Sequence, residues 1–491
     1  MKKLVPLLLS FIFLAQCGRT PRSWKYIRVG LENSPLSLDP RVGTDQASQR
    51  LHQVLFRGLV RRERDGSLVP DLAEAFWREG KTRFVFKIKR GLRFCNGKEI
   101  TPADVAYTYN SLIKGRIKSI RKGALWMVKD VRVQGQKVIF QLTKPYSSFL
   151  INATLGVVPE GAGREFSAHP VGSGPYCLKR AERDELLLLP NPYQKGTRNR
   201  GILIRIIPDE VTRALELEGG GIDLVVNGFS PDTLWELSRK KGLRIKRTVG
   251  GNFAYLGLNL RDRFLRDRRV RLAIGYAIDR ESLIRNLLRG YATAANTVMP
   301  PYLPWHEKDV FSFHYSPQKS IRLLQEAELS GLTLEFKCAS RRLSRQLAQV
   351  LKYQLGKVGI NLKVNCGEFS YFYSQILQGN FQVYFLMWVG ISDPDIFRFI
   401  YHSSSRPPHG ANRGGYENPA VDRLIEEGEA TYDPERRREI YSRIQKIVAR
   451  DVVYIPLWYP DSVAVFRKGL KGVEVFPNGD LIFLPKVHFS P

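Results

Sequence analysis

The stretch LMWVGISDPD (386–395) sets Trp388 on an apolar run just before Asp393 and Asp395, which flank a proline. Two carboxylates so placed admit three chemistries. They could form an acid/base pair or ligate a hard cation. They could also act as turn and helix-start acceptors that present Trp388 to something else.

The other reactive residue types assemble no catalytic set. The histidines (52, 169, 306, 314, 402, 409 and 488) are dispersed, with no HExxH or His-x-His pattern. In VGSGPY, Ser173 and Gly174 are adjacent, whereas a nucleophile elbow needs one residue between serine and the second glycine. GGG (219–221) is not followed by a phosphate-loop lysine. His402 and His409 lie in a Ser/Pro/Gly-rich loop and read as loop residues rather than a nickel pair. No enzyme, no metal site and no cofactor is expected.

The N-terminus carries a targeting signal. MKK is a basic start and LVPLLLSFIFLA (4–15) a short apolar segment, too short to span a bilayer comfortably. LAQC then places Cys17 where a bacterial lipoprotein signal is cut and acylated, with Gln16 where a small residue is usual. The expectation is an exported, periplasmic or surface protein, membrane-anchored through a lipid at Cys17. Export permits disulfides. Cys95, Cys177, Cys338 and Cys366 show no metal-ligand spacing. Cys338 and Cys366 each end a strand-like run, so they could lie side by side, as a bond or as two buried thiols.

Length and charge set the remaining bounds. At 491 residues the chain exceeds one core, so two or three domains are expected. Its 77 basic and 47 acidic residues leave a net charge of +30, a field that favours anionic partners. The basic residues are scattered, without a nucleic-acid motif or basic arm, so a solvated basic surface is expected and no nucleic acid.

Local patterns supply the elements that must position Trp388. TRFVFKIKRGLRF (82–94) alternates as a half-buried strand. ITPADVAYTYNSLI (100–113) opens with Thr101, Pro102 and Asp104, a capping box with proline at the first helical position. VIFQLTKPY (138–146) returns as a strand, giving a small α+β unit. In 268–291, Asp279 caps and Gly290 ends the second of two helical stretches. In 342–364, Leu343, Leu347, Leu351, Leu355 and Val358 share one helical face and Gly359 stops it. The strand at 332–338 before that helix and Ile360, Leu362 and Val364 after it make a β-α-β unit. Asp433 and Pro434 start a helix with Ile440, Tyr441, Ile444, Ile447 and Val448 buried, and VVYIPLWYP (452–460) reads as a buried strand. The fold class is α/β, with an α+β insertion.

FRGLVRRERDGSLVPDLAEAFWREGKTRFVFKIKRGLRFCNGKEITPADVAYTYNSL (56–112) resembles the extracellular solute-binding proteins of family 5, the peptide- and nickel-binding group of ABC importers. HPVGSGPYCLKR (169–180), NPYQKG (191–196), GGIDLVVNG (220–228), the segment 253–301 and GYENPAVDRLIEEGEATYDPERRREIYSRIQKIV (415–448) are similar to later landmarks of that family. Cys95 departs from it, standing where histidine is common.

The resemblance implies a two-lobed periplasmic-binding-protein fold of class II with an extra α+β domain and the ligand cleft between the lobes. The implied division is a signal segment at 1–17, lobe I at 24–47, 169–248 and 461–491, the inserted domain at 48–168, and lobe II at 249–460. It implies a monomer that captures di- or oligopeptides by hinge closure and delivers them to a permease and ATPase of an importer. Alternatives are another solute, such as a nickel chelate or peptidoglycan fragment, or a non-transport surface lipoprotein.

Among site residues, Trp388, Val389 and Gly390 correspond to a wall of the pocket. Peptide binders of the family carry an aspartate shortly after that tryptophan, which holds the peptide ammonium. This chain is about one residue shorter there, so Ile391 or Ser392 occupies the position, and Asp393 is left as partial substitute or as a turn residue. Asn33, Ser34 and Leu36 match the lobe I side of the cleft, Tyr255 and Asn259 a strand near its mouth, and Asn412 a loop over the pocket.

Overall fold

The computed structural model describes residues 25–490. The apolar leader and Cys17 lie outside the described residues. A twelve-stranded mixed sheet falls into two halves joined by one long strand. In the first half, Ile27–Leu31 lies between Ile202–Ile206 and Leu224–Val226, parallel to both. The antiparallel strands Glu185–Pro190 and Tyr176–Ala181 extend it.

In the second half, Leu332–Ala339 pairs in parallel with Ile360–Gly367 and Val383–Trp388, and Phe253–Leu258 runs antiparallel to the latter. The β-α-β unit read from 332–364 is present. Its helix is Arg342–Gly356, with Leu347, Leu351 and Leu355 buried. Gly359 ends the turn at φ +85°, where a side chain would be strained.

The run at 452–460 is only the first part of a longer strand, Tyr454–Arg467. Its N-terminal part pairs with Phe253–Leu258 and Ala292–Ala294, its C-terminal part with Leu243–Val249 and Leu224–Val226. Pro460-Asp461 reads as a stop in sequence. In the fold it marks where the strand changes partners, and the Pro460 carbonyl accepts from Gly250 N–H at 3.0 Å. Having neighbours on both edges explains why Val463, Ala464, Val465 and Phe466 are all buried without alternation.

Between the first and second strands of the first half comes a four-stranded antiparallel sheet in the order Ala73–Glu79, Arg83–Ile88, Lys137–Leu142, Val128–Gln134. The helix Pro102–Ile113 covers it, with the Thr101–Asp104 capping box formed as the residues indicate. The core of this unit runs from Leu59 to Val157. The preceding helix, Gln46–Leu55, packs Leu51, Val54 and Leu55 into the core of the first half-sheet instead.

Both cysteine pairs are bonded. Cys95–Cys177 ties the inserted unit to Tyr176–Ala181, and Cys338–Cys366 links opposite residues of two parallel strands. The free-thiol alternative for Cys338 and Cys366 is therefore replaced by a cross-strand bond. Among the described residues no helix is long and apolar enough to cross a membrane.

Candidate functional site: the crevice between the half-sheets

Parallel strands deliver their C-terminal ends, and the loops that follow, to one side of a sheet. In the first half those loops are 32–36, after Ile27–Leu31, and Asn227-Gly228, after Leu224–Val226. In the second half they are 340–341, after Leu332–Ala339, and 389–395, after Val383–Trp388. The two sets face each other. Asp232, beyond the first set, pairs with Arg342 at 3.3 Å and with Arg289 at 2.9 Å, both in the second half. The segment 250–252 and the crossing strand connect the halves here, and the region between the two loop sets is the candidate crevice.

Trp388 ends its strand opposite Phe253. Its ring stacks parallel to Tyr255 at 6.1 Å and meets Phe399 edge-on at 6.0 Å. The Arg413 guanidinium lies 4.8 Å from its centroid, a cation–π distance. The chain then turns through Gly390, at φ +66°, whose N–H donates to Asn252 Oδ1 at 2.9 Å. Ile391 N–H donates to the Gly251 carbonyl at 2.9 Å, and Tyr302 Oη–H donates to the Ile391 carbonyl at 3.0 Å. The loop is thus locked onto the connecting segment, with Ile391 buried and Val389 69 % exposed. The exposed part of this wall is apolar, with the Arg413 guanidinium against the Trp388 ring as its one nearby charge.

Asp393 and Asp395 turn away from it. Asp393 Oδ1 accepts from Ser148 Oγ–H at 2.5 Å and from Arg437 Nη2 at 3.1 Å, and it also accepts from Asp395 N–H at 3.0 Å. Asp395 Oδ2 accepts from Tyr146 Oη–H at 3.2 Å. Burial and the adjacent Asp393 push the Asp395 carboxyl up to about 7. Tyr146 and Ser148 follow the inserted sheet, and their neighbours also bind across: Ser147 N–H donates to the Glu429 carbonyl at 2.8 Å. The carboxylates therefore dock the inserted unit onto the second half. They start a turn, as one of the three readings had it, and serve as an interdomain joint that sequence spacing did not reveal.

The remaining sequence candidates divide. Asn33 and Ser34 are exposed and Leu36 is 83 % exposed in the loop after the first strand, on the crevice side. Tyr255 is buried beneath Trp388 and accepts from Arg413 Nη1 at 3.2 Å. It shapes the wall from behind. Asn259 sits at the other end of the strand pair from Trp388, donating to the Phe381 carbonyl at 3.0 Å. Asn412 is buried and spent on its own loop, donating to the Tyr416 and His402 carbonyls and accepting from Tyr416 N–H. His402 is buried beside Ser404 and Glu426, and among the described residues no group of three His, Cys, Asp or Glu could hold a metal ion.

Three contributors carry little sequence signal. Arg50, only 3 % exposed, donates Nη1 to the Val226 carbonyl at 3.2 Å, while among the described residues Nε and Nη2 have no hydrogen-bond partner. Gly479, at φ +70°, leaves room for Arg50, since a Cβ there would come within 2.8 Å of Nη2. Asn227, at φ +55°, accepts from Val463 N–H at 2.7 Å and fixes the crossing strand. The dipeptides Asn227-Gly228 and Asn478-Gly479 are turn signals that point to both loops, but nothing in the sequence brings them together.

Residues 67–408 match the family described as bacterial extracellular solute-binding proteins, family 5 Middle. The chain belongs to that family. Among relatives of this family 5 protein, the oligopeptide-binding protein AppA of Bacillus subtilis is 27 % identical over 93 % of this chain and 90 % of its own. The nickel-binding periplasmic protein of Escherichia coli is 24 % identical over 86 % and 87 %. The structure of B. subtilis AppA with a nonapeptide superposes with a TM-score of 0.76 at 25 % identity, covering 95 % of this chain and 99 % of AppA. That of the ABC transporter substrate-binding protein CtaP from Listeria monocytogenes gives 0.86 at 22 % identity over 95 % and 99 %. The two-lobed solute-binding fold is shared with these proteins, and the family consists of extracellular binding proteins rather than enzymes.

Proposed function

We propose that this chain is the substrate-binding component of an ABC importer, exported and anchored by a lipid at Cys17, which captures peptides and hands them to a membrane permease. The observation that carries this reading is the wall Trp388–Val389–Gly390 at one strand end and the exposed loop with Asn33, Ser34 and Leu36 at another. An aromatic face and exposed apolar side chains suit ligands recognised mainly through their backbone. The peptide-binding relatives support peptides as the class.

Thermal unfolding of the purified protein against peptides, metal chelates, sugars and peptidoglycan fragments tests it. A peptide at ~100 times its Kd adds roughly 2.7 kcal/mol to the folded state. Trp388→Ala is expected to weaken that peptide by about 2 kcal/mol, roughly thirtyfold. Stabilisation by chelates or sugars alone would replace the peptide reading, and no stabilisation by any class would favour the surface lipoprotein.

A further inference from the structure

Toward the Leu258 end of the paired strands Phe253–Leu258 and Val383–Trp388, a cavity of about 160 Å³ is lined by Arg261, Arg406 and Arg413. Leu377, Gln378, Gly379, Pro407 and Asn412 complete it. Arg413 is only 5 % exposed, yet among the described residues no carboxylate pairs with it. Its Nη1 and Nη2 donate to the hydroxyls of Tyr255 and Tyr373 at 3.2 and 2.9 Å, and its Nε has no partner. A buried guanidinium held by neutral hydroxyls and aromatic faces, with no carboxylate, is short of negative charge.

The neighbouring residues are shaped around further positive charge. Gly379 and Gly415 both have positive φ, and a Cβ on either would come within 3.1 and 2.8 Å of the Arg261 side chain. Those glycines leave the space in which Arg261 lies. Arg406 is the one guanidinium of the three with an acidic partner, Glu417. Three cations thus line one small cavity with one carboxylate among them.

We infer that this cavity is an oxyanion site, taking a phosphate or carboxylate group between Arg261 and Arg413. Guanidinium forks match both groups through paired hydrogen bonds, and the volume is that of about five waters, enough for either. The site does not depend on the peptide reading. Because Arg413 also lies against Trp388, an anion that draws on its guanidinium acts on the crevice wall as well.

Calorimetric titration of the full chain with inorganic phosphate, and separately with citrate, at fixed ionic strength is expected to show saturable binding. Arg261→Gln, on an exposed side chain, should weaken it roughly tenfold or more, as should Arg413→Gln where that variant folds. Tryptophan fluorescence should change on binding in the parent and not in Trp388→Phe. Competition by an Asp-Glu dipeptide would identify the carboxylate of a larger ligand as the natural occupant, and its absence a free ion. No saturable binding of either anion, or binding unchanged in folded Arg261→Gln, overturns the inference.

Discussion

At neutral pH Asp395 sits near the midpoint of its titration, because burial and then Asp393 push its carboxyl up to about 7. Unfolded, an aspartate titrates near ~3.9. Between those values the folded state holds the proton more tightly, so this group's contribution to stability falls as pH rises from about 4 to about 7. Asp395→Asn is expected to remove that slope, with its advantage over the parent growing across the window in urea denaturation. His52 runs the other way. Burial lowers its pKa to about 4, against a hydrogen bond from Nε2 to the Ser37 carbonyl at 3.0 Å. Its contribution is complete above about pH 6.5 and is lost as pH falls toward 4, and His52→Gln should flatten that acid limb. Trp388 was singled out through the family resemblance, since an aromatic ending an apolar strand also fits plain core packing, and its place at the strand end beside Gly390 is what the fold adds. The work of Asp393 and Asp395 was not, because Tyr146, Ser148 and Arg437 are far away in the chain.

Helices and short strands followed local chemistry. Thr101 with Asp104, Asp279, Asp433 with Pro434, and Gly359 each act where their side chains or backbone freedom suggest. Elements defined by distant partners were harder to read. The strand through Pro460 looked complete at 460 because what continues it is a change of neighbours, not of residue type. The disulfides are a second case, since cysteine identity says nothing of which strands meet. Cys95–Cys177 spans 82 residues and Cys338–Cys366 spans 28. Loop-closure entropy then puts their loss at roughly 4.5 and roughly 3.6 kcal/mol. Paired serine substitutions should lower the denaturation midpoint in that order. Intact-mass analysis should show uptake of four hydrogens on reduction by the protein without Cys17.

Across the whole molecule, the ion pairs that bridge the two half-sheets at Asp232 are weak. Asp232, Arg289 and Arg342 are all well exposed, and such pairs contribute about 0.2–1 kcal/mol each and are screened by salt. Pairs so exposed add little to a closed state, which leaves the ligand and the buried joint at Asp393 and Asp395 to decide the balance. Asp232→Ala should shift the equilibrium toward the open form by no more than about thirtyfold, seen as a larger radius of gyration in small-angle scattering without ligand. With saturating ligand the two proteins should scatter alike.

The strand Tyr454–Arg467 also governs the order in which this chain can become a folded object. It emerges from the ribosome after the strands it pairs with, among them Leu224–Val226, Leu243–Val249 and Phe253–Leu258. At typical synthesis rates that puts it roughly 20 to 90 s behind Ile27–Leu31, the first strand of the sheet. Throughout that interval neither half-sheet has its shared centre, and both present open edges. The nascent chain is therefore kept from early completion, a schedule that suits a polypeptide that must be threaded across a membrane before it folds.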